Sequence, residues 1–229
     1  MASSTAIQAD EKGAAAQAQQ AGAVETAERD AEKQAAACEG SPALRQVDDE
    51  SAAKDEKQLF LKRILAAHER WYDVQRGYEY AGRTFPGYAE FHSYGEKYVL
   101  VKRAKLWGAN THEYVFFVLT DRLDEATLDD WVAFMETEGL AKVDPEQDHM
   151  SSAITLAIVA DCCDDEVEKR VRKTRFRKNF AFGMRGWADL RLVVADISAK
   201  RVYANAAGKQ LRDTLQRNLE LPNRPKTDQ

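Results

Sequence analysis

The sequence predicts a single α+β domain, with a mixed, largely antiparallel sheet covered by helices and a disordered N-terminal tail in front of it. Three observations predict this. Segments with apolar residues at helical spacing and segments rich in Val, Ile, Phe and Tyr follow one another in the order α, β, β, α, β, α, β, β, α, which suits a mixed sheet with helices on at least one face. Ser152 to Asp161, SAITLAIVAD, is the most hydrophobic segment and reads as a central strand. Residues 1–56, as in GAAAQAQQAGAVETAERDAEKQAAACEG, have almost no Leu, Phe, Tyr or Trp, and so little apolar surface cannot offset the entropy of ordering them. The domain is expected over residues 57–220, with a frayed tail at 221–229.

The first helix begins at Gln58. In QLFLKRILAAHERWYDVQRGYEY the residues Leu59, Leu61, Ile64, Leu65, His68, Trp71 and Tyr72 recur at helical spacing. Gly77, Gly82, Pro86 and Gly87 then read as loops. YAEFHSYGEKYVLVKRAKLW ends in a strand, and HEYVFFVLT, His112 to Thr120, reads as its hairpin or sheet neighbour. Asp124 is an acceptable N-cap for EATLDDWVAFMETEGL, where Leu128, Trp131, Val132 and Met135 form an apolar stripe and Gly139 sits at the place of a C-cap glycine. DDEVEKRVRKTR runs from acids to bases, which complements a helix macrodipole at both ends. WADLRLVVADISAKRVYANAAG gives two strands around a turn at Ser198 to Lys200, and KQLRDTLQRNLEL closes the domain with an amphipathic helix. Trp71, Trp131, Ile154, Leu156 and Val193 are expected in the core.

Several function classes lose support. MASSTAIQADEKG has neither the basic nor the apolar region of a secretory signal, and no apolar run reaches the roughly 18 residues that span a bilayer, so a cytoplasmic protein without a membrane partner is expected. The three cysteines, Cys38, Cys162 and Cys163, lack zinc-ligand spacing and read as free thiols; no metal and no cofactor is expected. YANAAGKQ contains Gly-Lys, but Tyr203 stands where a phosphate loop needs its first glycine, and Gln210 stands where it needs Ser or Thr. HERWY and HEYVF end in Tyr72 and Phe116 instead of the second histidine of a zinc protease motif.

EKYVLVKRAKLW, HEYVFFV, HMSSAITLAIVAD, RFRKNFAFGMRGWADLRLVVADI and VYANAAGK resemble a family of uncharacterised bacterial proteins, a domain without assigned activity. The resemblance covers about Gln58 to Leu219. It implies a bacterial origin and one compact domain, and it carries over no functional residue.

Two functional expectations come from the residues themselves. Seven of the ten residues from Lys169 to Lys178 are Lys or Arg, although the chain carries a net charge of −5. Pairs Glu166–Arg170 and Glu168–Arg172 at helical spacing would use part of that charge. The remainder, Arg175, Arg177, Lys178 and Arg185, stands beside Phe176, Phe180, Phe182 and Trp187. Cations interleaved with aromatics hold a phosphate backbone and stack bases, so nucleic acid or another polyanion is the expected partner of a binding or regulatory module, with Trp187 as the stacking ring. The alternative is an enzyme of an unrecognised class, with a pocket formed where Glu96 meets His112 or Glu113 and with Lys102, His149 and Asp161 near other strand ends.

Overall fold

A computed structural model describes residues 46–94, 96–98, 105–108 and 110–221, with side chains described for 56–94 and 110–221. Of the tail expected to be disordered over 1–56, residues 1–45 lie outside the described residues, as does the frayed end after 221, whereas residues 46–56 are helical. The first helix, α1 (Gln46–His68), begins three turns before the point where its apolar stripe starts.

The chain then enters a sheet earlier than its pattern suggests. Strands β1 (Asp73–Tyr80) and β2 (Arg83–Ser93) form an antiparallel hairpin, where helix and loops were expected. Trp71 and Tyr72 continue the spacing of α1 by coincidence. The helix stops at His68, and Trp71 is 68% exposed, not in the core. Pro86 and Gly87 lie inside β2: the pairing passes over Gly77 and Pro86, and a side chain at Gly87 would meet Leu65 Cδ2 at 2.6 Å, so glycine there lets α1 lie close on the sheet.

A small hairpin of β3 (Glu96–Tyr98) and β4 (Lys105–Gly108) follows. β5 (Asn110–Leu123), β6 (His149–Cys163) and β8 (Trp187–Asp196) are parallel neighbours, joined by α2 (Glu125–Phe134) and α3 (Asp165–Lys173). The sheet is therefore mixed: antiparallel at both margins, but parallel along its two longest ladders, because each helix crosses over before the chain returns in the same direction. The order is β1-β2-β5-β6-β8, and the outer edge of β8 is shared by two short antiparallel strands, β7 (Arg177–Asn179) and β9 (Arg201–Ala204). Between them the Asn205 side chain completes the edge, its Nδ2 donating to Leu190 O at 2.9 Å and its Oδ1 accepting from Leu192 N at 3.1 Å.

Both faces of the sheet are covered. Leu128, Val132, Val167 and Val171 of α2 and α3 pack on Phe116, Ile154, Leu156, Leu190 and Leu192. Phe60, Ile64 and Leu65 of α1, with Leu215 and Leu219 of α4 (Lys209–Leu219), pack on Val115, Phe117, Ala157, Val193 and Ala195. Asp124 caps α2, accepting from Thr127 N at 2.7 Å. Gly139 is not a left-handed cap. The helix continues through it in a widened turn, and its missing side chain makes room for Ile154 and Met135, each about 3.1 Å from where a Cβ would stand. Trp131 is half-buried, with the Arg83 guanidinium 4.4 Å from its ring.

Candidate functional site

The basic run divides at Thr174. On α3, Arg172 bonds Glu168 at 2.6 Å and Lys169 bonds Glu166 at 3.3 Å, while Arg170 turns away from Glu166 to reach Asp129 of α2 at 2.7 Å. The first two pairs lie within α3, and the third ties α3 to α2. After Thr174, Arg177 also finds an acid. It makes a two-pronged bond to Asp189 on β8, at 2.6 and 2.7 Å, with its guanidinium 5.4 Å from the Trp187 ring and the Trp187 indole N–H bonded to the same carboxylate at 3.1 Å. Arg175 and Lys178 are exposed and make no hydrogen bond or ion pair among the described residues, and Arg185 has only a long bond to the Pro145 carbonyl at 3.4 Å. Of the five residues expected to bind a polyanion, Arg175, Lys178 and Arg185 thus keep charge to offer, whereas Arg177 and Trp187 are engaged with Asp189.

The loop from Phe180 to Gly186 is the most contorted backbone among the described residues. Ala181 and Phe182 have φ of 46° and 55°, a region that residues with a Cβ seldom enter, and Gly183 and Gly186 follow at 90° and 70°. The contortion leaves Phe182 fully exposed and Met184 80% exposed at its tip. A cavity of about 520 Å³ lies beside it, walled by Phe180, Met184, Arg185 and Pro145. Two contacts fix the base of the loop: Gly186 lies against the Met150 carbonyl, and His149 Nδ1 donates to Arg185 O at 2.6 Å. That bond puts a proton on Nδ1, and Nε2 is hydrogen-bonded to the Ser152 hydroxyl at 2.9 Å.

His149 also belongs to a cluster that the linear pattern did not reveal. The His92 and His112 Nδ1 atoms are hydrogen-bonded at 2.8 Å, while the His112 ring stacks on His149 with centroids 5.9 Å apart. Burial, and then the neighbouring His92 and His149, hold the His112 pKa below the ordinary imidazole value. Burial, with Glu90 next, pushes the Tyr114 hydroxyl up to about 12. Both His149 nitrogens and the Nδ1 atoms of His92 and His112 are engaged with one another, with Ser152 and with a carbonyl. Among the described residues no group of three or more His, Cys, Asp or Glu can hold a metal ion.

The other acids of the alternative pocket lie elsewhere. Glu113 follows His112 in the strand and so faces the opposite side of the sheet, where it accepts from Tyr72 at 2.6 Å and from Arg191 at 3.0 Å. Asp161 is at the far end of β6, bonded to the buried Lys57 at 2.6 Å. The Glu96 and Lys102 side chains lie outside the described residues.

Fold and surface together define a three-layered domain that carries a basic, aromatic-tipped sheet edge. The chain belongs to the family described as Domain of unknown function (DUF8052), matched over residues 56–217. No curated protein and no solved structure matches it.

Proposed function

We propose that this domain is a binding module for single-stranded nucleic acid, which it holds along the edge formed by β7 and the 180–186 loop. One observation carries the reading: cations with no carboxylate partner among the described residues, Arg175, Lys178 and Arg185, line the strand and loop that end in a fully exposed Phe182 held on strained backbone. Backbone strain of about 1 to 3 kcal/mol persists only where the surrounding structure holds it, and such positions cluster at ligand-binding sites; an exposed ring near cations offers a stacking platform next to phosphate contacts. The separation of charge also supports it. Although the chain is acidic overall, Glu166, Asp129, Glu168 and Asp189 are taken up by Lys169, Arg170, Arg172 and Arg177, which leaves less negative charge beside the edge. Cytoplasmic location in a bacterium belongs to the same reading.

Fluorescence anisotropy with a labelled single-stranded oligonucleotide tests the proposal. Binding is expected in the nonspecific range of about 1 to 100 micromolar at low salt, and it falls steeply as salt rises. Replacing Arg175, Lys178 and Arg185 together with Ala flattens the salt dependence by about 0.7 of a unit per lost contact. Phe182→Ala weakens binding by ~1 to 3 kcal/mol, more than Trp187→Ala does. No binding by the wild-type protein in low salt at the top of that range defeats the proposal.

A further inference from the structure

The basic edge runs into a second cavity, of about 480 Å³, bounded by Arg175, Arg177, Asp189, Arg191 and the turn Asn205–Ala207. From Arg175 to Asn179 an extended chain spans about 13 Å at ~3.3 Å per residue, so the cavity lies at one end of the edge and the Phe182 loop at the other. The neutral polar groups of its wall are occupied within the fold. The Asn205 amide bonds Leu190 O, Leu192 N and Gly208 N, and the Thr174 hydroxyl bonds Arg170 O. What remains for a ligand is guanidinium. Arg175 has no acid partner among the described residues, and Arg191 places one nitrogen on Glu113 at 3.0 Å while remaining about a third exposed. Three arginines therefore face two carboxylates, Asp189 and Glu113, which leaves the cavity with a surplus of positive charge and unused planar donors.

We infer that this cavity receives a phosphate monoester, the chemistry of a phosphorylated strand end or of a free mononucleotide. The site extends the nucleic-acid reading by fixing where along the edge a strand terminates, and it rests on that reading for its partner. An internal phosphodiester carries one negative charge and continues on both sides. A terminal monoester carries nearly two and needs an exit for the chain on one side only, which β7 supplies. Arg175 and Arg191 bind the phosphate oxygens, while Arg177 is held in place by Asp189 and serves to position Trp187 and the cavity wall.

The test compares one oligonucleotide sequence carrying a 5′-phosphate, a 3′-phosphate or hydroxyls at both ends, with AMP and adenosine as competitors, using the full chain. A phosphorylated end is expected to bind roughly ten- to a hundredfold more tightly than the hydroxyl form, as a charge-assisted hydrogen-bonded contact allows. AMP should displace it at concentrations where adenosine does not. Arg175→Gln should abolish the preference for the phosphorylated end, and Arg191→Lys should reduce it while the melting temperature reports that the variant is folded. Phe182→Ala should weaken all the oligonucleotides alike and leave the preference intact. If AMP matches the phosphorylated oligonucleotide, the monoester site stands with a free nucleotide as its source. Equal affinity for phosphorylated and hydroxyl ends, with no AMP competition, overturns the inference while leaving the binding edge standing. Binding of AMP by a protein that ignores every oligonucleotide overturns the nucleic-acid reading and leaves the cavity's assignment standing.

Discussion

Gly186→Ala separates a strained loop from a merely flexible one. At φ 70° a Cβ costs ~1 to 2 kcal/mol from backbone sterics alone. The same Cβ would stand 2.1 Å from the Met150 carbonyl oxygen and 3.0 Å from His149 Nδ1, so backbone has to move. The movement disrupts the bond from His149 to Arg185 O at 2.6 Å and that from Phe180 N to Gly186 O at 3.0 Å, each contributing ~0.5 to 1.5 kcal/mol. A total near 3 kcal/mol corresponds to a melting temperature lower by roughly 6 to 12 °C for a domain of this size. Gly183→Ala is the comparison: its φ is 90°, but nothing lies within 4 Å of the new Cβ, so only the conformational cost of ~1 to 2 kcal/mol applies, or roughly 2 to 8 °C. Thermal unfolding followed by circular dichroism reads both. Equal losses for the two variants would show that the contact with Met150 does not hold the loop, and the account of its strain would be wrong.

Two further outcomes are expected. Burial lowers the pKa of His68, and burial with the neighbouring imidazoles lowers that of His112, so the folded state disfavours protonation. The stability this contributes is complete above the ordinary value of 6.5 and is lost as pH falls from there through the folded-state values, where the unfolded chain binds more protons. Urea midpoints at pH 8 and pH 5 measure it, and His112→Asn should make them less different. Lys57→Met strands Asp161, whose other carboxylate oxygen is already buried with no partner among the described residues, and should cost about 3 kcal/mol in chemical denaturation. Adding Asp161→Asn to that variant should restore part of the loss.

The elements whose pattern is local were legible. Asp124 as a cap, β6 as a central strand, the turn after Asp196 and the acid-to-base polarity of α3 all depend on residues a few positions apart. Features that depend on distant partners were not legible. Nothing in the spacing of Trp71 and Tyr72 says that the helix has already ended, because the same residues fit either period until β2 pairs with β1. Arg177 looked as free as Arg175 because Asp189 lies twelve residues on and meets it only through the β7–β8 register. The histidines are brought together from three strands, and His92 was overlooked because only pairing places it opposite His112. The basic and aromatic composition of the stretch was visible from the start; which of its cations remain available was decided by tertiary neighbours.

The two margins of the sheet differ in a way that governs self-association. On the β8 side the outermost hydrogen-bonding groups belong to strands of three and four residues with a side-chain amide between them, too short and broken a template for another chain to extend. The eight-residue β1 on the opposite margin is the longer run, and it is interrupted at Gly77 and bears Asp73, Arg76 and Glu79. Growth of a fibre by strand addition requires a receptive edge at each end of every subunit. A sheet with one such edge can at most pair with its own copy across a twofold axis, and then no free edge remains to propagate the stack.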